Sequence, residues 1–436
     1  MQGIDRRQFL VRTGLALGAA ALARGLPDTV AADPAVRFDD WKTVKAQFPL
    51  SPELIHLAGF FLASHPTPVR RAIERHRAGL DADPLGYWLD HEEKQEASVL
   101  RAAARYLGAE PTEIALTDST TMGLGLLYGG LDLRPRQEIL TTTHDHYSTD
   151  MSLRLRAERT GATVRKVTLY ETAYTASRDQ LIERLVKQIR PETRIVAVTW
   201  VHSGTGLKLP IADMARAIAQ INRNRDEKDR ALLCVDGVHA LGVEDFKVHE
   251  VGCDFLIAGT HKWMFGPRGT GLVWGHPRAW PIANAIIPTF NTEAYDQWMQ
   301  LYPPKPLPQP VYLTPGGFHS FEHRWALDEA FAFHEAIGRQ RVTERIAELS
   351  RQLKQGLAAM KHIILHTPLS QELSAGIVCF EVAGLTPRQA VEKLRQRGIV
   401  GSVTPYATQY ARLAAGVFNT PEEIDRTLAR VQELSA

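Results

Sequence analysis

The chain has 436 residues, of which 44 % are hydrophobic and 23 % charged, and its 51 basic and 49 acidic residues leave a formal charge of +2. This composition is typical of a globular protein, and the length predicts one large domain and one smaller one. The near-balanced charge gives no indication of a polyanionic partner, so no nucleic-acid partner is expected. The three cysteines show neither CxxC nor zinc-ligand spacing and are predicted to be buried thiols.

The N-terminus differs from the rest of the chain. Arg6 and Arg7 precede an apolar run over residues 13–23, which is too short to form a stable membrane span, and small residues follow at positions 30–32. The segment resembles a bacterial twin-arginine export signal, and a basic amphipathic helix is the alternative interpretation. Such a signal, over residues 1–32, implies that the twin-arginine translocation machinery exports the folded protein to the periplasm, with its cofactor loaded in the cytoplasm.

Strand-like and helix-like segments then alternate without repeats, which predicts an α/β fold. Each of the clearest strand candidates is a short apolar run bounded by turn residues, as in the strands of a sheet that are joined by crossovers. These runs cover residues 194–201, 231–236, 253–258 and 270–275.

Proline, glutamine and aromatic residues are concentrated between about positions 281 and 315, and this composition predicts a connector. We therefore expect an N-terminal segment and a large domain over residues 33–300, and the connector with a small C-terminal domain over residues 301–436. Capping patterns that begin at Thr386 and Thr420 predict two helices in the small domain.

Two polar residues stand at the ends of neighbouring predicted strands. Lys262 follows the 253–258 strand among apolar residues, which should lower the pKa of its amine and leave the neutral nucleophile that Schiff-base chemistry needs. Asp236 ends the previous strand, where a carboxylate can keep the ring nitrogen of pyridoxal phosphate (PLP) protonated. Alone, a surface lysine and a helix-capping aspartate are the ordinary interpretations; the pair predicts a PLP site.

Two further polar clusters lie upstream. Thr120 and Thr121 precede a predicted helix, whose free N–H groups favour a phosphate, although a simple N-cap cluster has the same pattern. His144 follows a predicted strand and is placed to lie against a planar ring. A metal site formed by the His-Asp-His run that ends at His146 is the weaker interpretation, because no third ligand follows at helical spacing.

These motifs, in this order, resemble the fold-type I PLP enzymes of the class V aminotransferase group, which includes isopenicillin N epimerase, cysteine desulfurases and kynureninase. The resemblance runs from about residue 48 to the C-terminus, and it is most specific in DGVHALG, AGTHKWMFGPRGTG, VTWVHSGTG and ARLAAGVFNTPEEID. It implies a large domain with a mainly parallel seven-stranded sheet, a smaller C-terminal α/β domain, and a homodimer.

The resemblance also implies roles for individual residues. Lys262 binds the cofactor covalently, Asp236 pairs with the pyridine nitrogen, and His144 stacks on the ring. Arg412 matches the arginine that clamps a substrate α-carboxylate, a task for which its planar guanidinium is suited. The resemblance places Thr120, Thr121 and His261 at the phosphate. It places Ser203 and His239 near the ring hydroxyl.

The sequence departs from the family pattern in two places. The desulfurases carry a catalytic cysteine shortly before the substrate arginine, whereas residues 398–412 contain none, which argues against desulfuration. The Gly-Thr pair that reaches the partner subunit's phosphate is also absent, and His319 or Ser320 is the candidate substitute.

The sequence thus predicts a periplasmic, homodimeric PLP enzyme that acts on an amine of a small molecule or a peptide, next to or near a carboxylate. Aminotransferase, epimerase and lyase chemistry all begin with the removal of the same proton, and the shared motifs do not distinguish them. Periplasmic relatives that tailor a siderophore peptide, pyoverdine, offer an analogy for the substrate. Two alternatives are a catalytically silent PLP-fold binding protein and a metal-dependent hydrolase that uses His144 and His146.

Overall fold

The computed structural model describes residues 38–301 and 303–434. The export signal predicted for residues 1–32 lies outside the described residues. Within them, no helix is long and apolar enough to cross a membrane.

The strands, in chain order, are β1 (Ile55–His56), β2 (Ile114–Thr117), β3 (Glu138–Thr142), β4 (Thr163–Val167), β5 (Thr193–Thr199), β6 (Leu232–Asp236), β7 (Phe255–Gly259), β8 (Gly271–Gly275), β9 (Ile363–Leu365), β10 (Ile377–Val382), β11 (Ile399–Val400), β12 (Ser402–Val403) and β13 (Ala411–Ala414). The helices are α1 (Trp41–Lys45), α2 (Thr67–Ala82), α3 (Pro84–Leu107), α4 (Thr120–Gly130), α5 (Tyr147–Thr160), α6 (Arg178–Val186), α7 (Ile211–Asn222), α8 (Val248–Val251), α9 (Thr292–Trp298), α10 (Gln309–Leu313), α11 (Phe321–Trp325), α12 (Leu327–Ile337), α13 (Arg339–Ala358), α14 (Pro387–Gln396) and α15 (Pro421–Gln432).

Seven strands form the large sheet, in the order β2-β8-β7-β6-β5-β3-β4. Its inner pairs are parallel, and β8 alone runs antiparallel to both of its neighbours. The predicted fold class, a mainly parallel seven-stranded sheet with a smaller α/β domain, is therefore confirmed. The four strand candidates read from the sequence correspond to β5, β6, β7 and β8.

Burial on both faces explains why these strands read as continuous apolar runs. Successive side chains of a strand point to opposite faces of the sheet. In β5, Val196 and Val198 pack into one hydrophobic core, while Ile195 and Ala197 pack into another on the opposite face. Polar side chains of these strands are therefore concentrated at the strand ends, and the candidate site lies at those ends.

The C-terminal part contains a four-stranded antiparallel sheet, in the order β12-β13-β10-β9. Its core packs Phe380 against leucines of α13 and against Ile424 of α15. Thr386 and Thr420 form capping boxes at the starts of α14 and α15, as predicted. The domain boundary near residue 300 stays a prediction.

One pairing was not predicted from the sequence. Strand β1 lies parallel to β11, with Ile55 opposite Ile399, and Ala58 bridges to Ala414. The N-terminal segment, which we expected to accompany the large domain, therefore pairs with strands of the C-terminal part. The pairing places Phe60 and Phe61 at the cavity described next.

Candidate active site

A cavity of about 230 Å³ lies where β5, β6 and β7 end. Open α/β sheets bind ligands at this edge, because the loops that follow parallel strands meet there. The cavity brings together every predicted site residue except His144: Thr120, Thr121, Ser203, Asp236, His239, His261, Lys262 and Arg412.

Lys262 follows β7 and directs its amine into the cavity, where Nζ lies 3.3 Å from Nε2 of His239. Burial lowers the pKa of this amine to about 8; Asp236 opposes the effect and Arg412 adds to it. About one tenth of the amine is therefore neutral at pH 7, far more than for an ordinary lysine, and the neutral form is the one that a nucleophile or a base requires.

Asp236, the last residue of β6, is 3 % exposed. Burial raises the pKa of its carboxyl to about 6, while the N–H of Val238, which donates to Oδ1 over 3.1 Å, and Lys262 act in the opposite direction. At neutral pH the group is mostly an ionised, buried carboxylate. Such a group calls for a cationic partner, and a protonated ring nitrogen supplies one.

The start of α4 forms the opposite end of the cavity. Thr120 Oγ1 accepts the N–H of Gly259 over 2.8 Å, and a Cβ on Gly259 would lie only 2.8 Å from that same oxygen. Thr120 and Thr121 are the first residues of α4 and line the cavity, so the helix N-terminus, which favours phosphate, lies at the cavity wall. His261 adds a buried Nδ1 without a hydrogen-bond partner among the described residues.

These features fit PLP. Thr120, Thr121 and His261 would hold the phosphate, Asp236 the ring nitrogen, and Lys262 the aldehyde carbon. The unpartnered Nδ1 of His261 and the donor groups of α4 are the observations that support the phosphate end.

The structure does not bring His144 to the cavity. Its ring stacks on Tyr170, with the centroids 3.8 Å apart, and its Nε2 accepts the N–H of Leu169 over 3.2 Å. His146 lines the cavity instead and caps α5 by accepting the N–H of Ser148 at Nδ1. The prediction that His144 faces the cofactor is therefore wrong in this structure, in which His146 is the histidine of this run that lines the cavity.

Asp145 explains this correction. Its Oδ2 accepts from Thr142 N over 2.8 Å and from two threonine hydroxyls, and its Oδ1 accepts from Thr199 N over 2.7 Å. The carboxylate thus ties β3 to β5 and turns the chain so that the residue after it faces the cavity. Sequence spacing alone carried no signal for this turn.

The same bonds leave the metal interpretation of the His-Asp-His run without support. Nε2 of His144 and both oxygens of Asp145 are already used as acceptors. No group of three histidine, cysteine, aspartate or glutamate side chains that could hold a metal occurs in residues 38–301 and 303–434.

Arg412 reaches the cavity from β13 of the C-terminal sheet and is 3 % exposed. Its Nε donates to Ser402 Oγ and its Nη1 to the carbonyl of Ser203, each over 3.0 Å, and its guanidinium lies 4.7 Å from the ring centroid of Phe60. Within the described part of the chain no carboxylate pairs with it. A buried cation without an anion is costly, so the site calls for an anionic ligand.

Sequence reasoning missed Tyr406, which lies in the loop between β12 and β13. Its hydroxyl is 2.7 Å from Ser203 Oγ, and its ring covers Gly204, where a Cβ would lie 3.1 Å from the ring. Burial raises the pKa of this phenol to about 12, so it stays protonated. The only available signal was a tyrosine in the loop where desulfurases carry cysteine.

His319 and Ser320 precede and begin the turn into α11. The Nδ1 of His319 donates to the carbonyl of Gly317 over 3.1 Å. Neither residue lines the cavity of its own chain. Their contact with a partner subunit's cofactor stays a prediction.

The fold and the site define a PLP-dependent enzyme of fold type I. Residues 91–426 match the sequence model of the family described as Aminotransferase class-V, and the chain belongs to this family. PLP is accordingly its cofactor.

Two curated relatives cover most of the chain. Isopenicillin N epimerase of Streptomyces clavuligerus is 27 % identical over 407 residues, which are 89 % of this chain and 96 % of that protein. A probable cysteine desulfurase of Synechocystis sp. is 25 % identical over 352 residues, or 77 % of this chain and 79 % of that protein.

Solved structures show the same fold. A lysine-to-alanine mutant of C-DES, with glycine covalently linked to its PLP cofactor, superposes with a TM-score of 0.79 at 22 % identity and covers 89 % of this chain and 99 % of its own. The apo cysteine desulfurase of Thermococcus onnurineus NA1 gives a TM-score of 0.76 at 20 % identity and covers 90 % and 97 %.

Proposed function

We propose that the enzyme removes or relocates the proton on the carbon that bears an amino group, in a substrate with a nearby carboxylate. The observation that carries this proposal is Arg412, a buried guanidinium without a carboxylate partner among the described residues, in the same cavity as the near-neutral amine of Lys262. Arg412 can bind the carboxylate of an amino acid, and Lys262 can act at the carbon that bears its amino group.

Each of the cavity residues has a separate role in the proposed reaction. PLP, when bound, withdraws electrons from the bonds at the amino carbon of the substrate. Lys262 accepts and returns the proton at Nζ, and a pKa of about 8 allows both directions near neutral pH. Asp236 keeps a proton on the ring nitrogen, and Arg412 orients the carboxylate through paired hydrogen bonds.

Cysteine desulfuration through a cysteine nucleophile is not part of the proposal. The three cysteines lie buried at or next to strands, and none of them lines the cavity. Burial raises the pKa of the Cys379 thiol to about 12, which leaves it unreactive as a thiolate. The loop at 404–410 contributes Pro405 to the cavity wall instead. Transamination, epimerisation and elimination remain the candidate outcomes.

A homodimer is proposed from the family resemblance. Large apolar side chains at the cavity support it: Phe61 lines the cavity yet is 61 % exposed, and Tyr147, next to His146, is 70 % exposed. Exposed apolar side chains clustered at a functional site are typical of an interaction surface.

Export is proposed from the sequence alone. Arg6 and Arg7, with the apolar run behind them, support transport of the folded, cofactor-loaded enzyme by the twin-arginine machinery to the periplasm. An enzyme there meets exported amines, and a siderophore peptide of the pyoverdine type is the substrate class that we propose.

Deuterium exchange tests the proposed chemistry without choosing among the three reaction types. The holoenzyme is incubated in D₂O with a panel of L- and D-amino acids, with short peptides that have a free terminal amine, and with the decarboxylated analogue of each. We expect replacement of one hydrogen by deuterium at the amino carbon only for carboxylate-bearing amines, and none with Lys262→Ala. Exchange that favours the decarboxylated analogues contradicts the role of Arg412, and borohydride labelling of another lysine contradicts that of Lys262. A catalytically silent binding protein shows no exchange at all.

A further inference from the structure

His239 lies between the indole of Trp263 and the amine of Lys262. It follows β6 by three residues, is 4 % exposed, and has a hydrogen-bond partner at each ring nitrogen. The indole N–H of Trp263 lies 3.3 Å from Nδ1, and the amine of Lys262 lies 3.3 Å from Nε2. The indole, the imidazole and the reactive amine therefore form one chain of contacts.

These contacts determine which nitrogen of the imidazole is protonated. An indole N–H can only donate, so Nδ1 of His239 must be the acceptor. Burial keeps the pKa of His239 well below its usual value, so the ring stays neutral. A neutral imidazole has one proton, and it must then lie on Nε2, facing Lys262.

A donor at that position discriminates between the two forms of the lysine. The ammonium form has only N–H groups to offer, whereas the neutral amine has a lone pair that accepts from Nε2–H. We propose that Trp263 is a positioning residue: its indole N–H fixes the proton of His239 on Nε2, and this tautomer holds Lys262 as the neutral amine that captures PLP. The consequence for capture rests on the proposed role of Lys262, but the tautomer does not.

The surroundings of Trp263 keep the indole in place. The ring is 2 % exposed and packs near Phe60, with the centroids 6.2 Å apart. A Cβ on Gly376 would lie 2.6 Å from the ring, so the backbone itself closes one side. The indole thus has no room to rotate away from His239.

The capture step shows why the neutral form matters. The lone pair of Lys262 Nζ forms the carbon–nitrogen bond with the aldehyde carbon of PLP, and the aldehyde oxygen leaves as water with the two amine hydrogens. An ammonium has no lone pair and must first lose a proton. The charged or titratable groups that act on this amine are Asp236, Arg412, His146, His239 and His261.

Nitrogen NMR of the holoenzyme labelled with ¹⁵N-histidine reads the tautomer directly, with His239→Gln used to assign the signal. We expect an unprotonated Nδ1 and a protonated Nε2 in the wild-type protein, and loss of that preference in Trp263→Phe. Trp280→Phe is the matched control, because its buried indole donates to the carbonyl of Glu113 outside the cavity. A protonated Nδ1 in the wild type overturns the proposal even if the variant fails to fold.

The rate of PLP capture, measured on full-length protein stripped of its cofactor, tests the consequence. Without the indole, Nε2 can become an acceptor and stabilise the ammonium, which should raise the pKa of Lys262 by about one unit. From a starting pKa of about 8, capture should slow about 10-fold at pH 7 and become nearly equal to wild type at pH 10. An equal loss at both pH values indicates a merely structural role and overturns the proposal.

A double-variant cycle completes the test. His239→Leu removes both the tautomer and the acceptor of the indole N–H, so Trp263→Phe should cause no further pH 7 loss in a His239→Leu background. An additive loss contradicts the chain of contacts. Borohydride labelling of a lysine other than Lys262 would refute the proposed function instead, and it leaves the NMR result to be judged separately.

Discussion

Replacing Arg412 by lysine tests whether the substrate presents a carboxylate at this end of the cavity. The guanidinium donates to Ser402 Oγ through Nε, to the Ser203 carbonyl through Nη1 and to the Val403 carbonyl through Nη2, which leaves one N–H on each of Nη1 and Nη2 for a ligand. A lysine keeps the charge but cannot make these contacts and a paired bond to a carboxylate.

The size of the loss follows from that geometry. Truncating one partner of a buried, hydrogen-bonded charge pair costs about 2–4 kcal/mol, which corresponds to about a 30- to 1000-fold decrease in kcat/KM. Burial is nearly complete at Arg412, so solvent does not compensate for the lost contact. We therefore expect a loss within this range for Arg412→Lys.

The assay is deuterium exchange on the amines that the wild-type enzyme accepts, with the visible spectrum of bound PLP recorded beside it. Arg345→Lys is the matched control: Arg345 is also buried in the C-terminal part, where it donates to the Asn419 carbonyl outside the cavity. The spectrum should not change in either variant. Wild-type exchange in Arg412→Lys, or a loss of the same size in Arg345→Lys, would refute the carboxylate clamp.

Four further outcomes are expected. Lys262→Ala should retain noncovalently bound PLP, seen by its absorbance after gel filtration, but should lose deuterium exchange, because the base is missing. The rate of PLP capture should rise about 10-fold per pH unit up to about pH 8 and then level off, because the pKa of Lys262 is about 8 and the neutral amine reacts; a flat stopped-flow profile contradicts this. His146→Ala should change the PLP spectrum and His144→Ala should leave it unchanged, since only His146 lines the cavity. Replacing Arg6 and Arg7 by lysine should retain the enzyme in the cytoplasm, which cell fractionation measures.

Much of the large domain could be predicted because a parallel sheet that is buried on both faces has a simple sequence pattern. Its strands are apolar throughout, and polar residues appear only where a strand ends. Asp236 and Lys262 were predicted as a pair from that position, and the structure places both side chains at the cavity. Thr386 and Thr420 were similarly informative, because a capping box depends on residues that are adjacent in the chain.

The features that escaped prediction depend on contacts between distant segments. The choice between His144 and His146 is made by Asp145, whose bond to Thr199 crosses from β3 to β5. The pairing of β1 with β11 joins residues more than three hundred positions apart, and two-residue strands leave almost no periodic signal. Tyr406 reaches Ser203 only because the loop between β12 and β13 folds back toward β5.

These long-range contacts also explain why the family match leaves the reaction open. The groups predicted to hold the cofactor follow strands β6 and β7 or begin α4, whereas the carboxylate clamp comes from β13. Ser203 joins the two halves: its carbonyl accepts from Arg412, and its hydroxyl meets Tyr406. On the proposed role of Arg412, the distance between the substrate's carboxylate and the Lys262 amine depends on Ser203 and the loop at 404–410. Because a proton can be returned only to a carbon face that Lys262 reaches, the position of the carboxylate relative to this amine bears on which product forms.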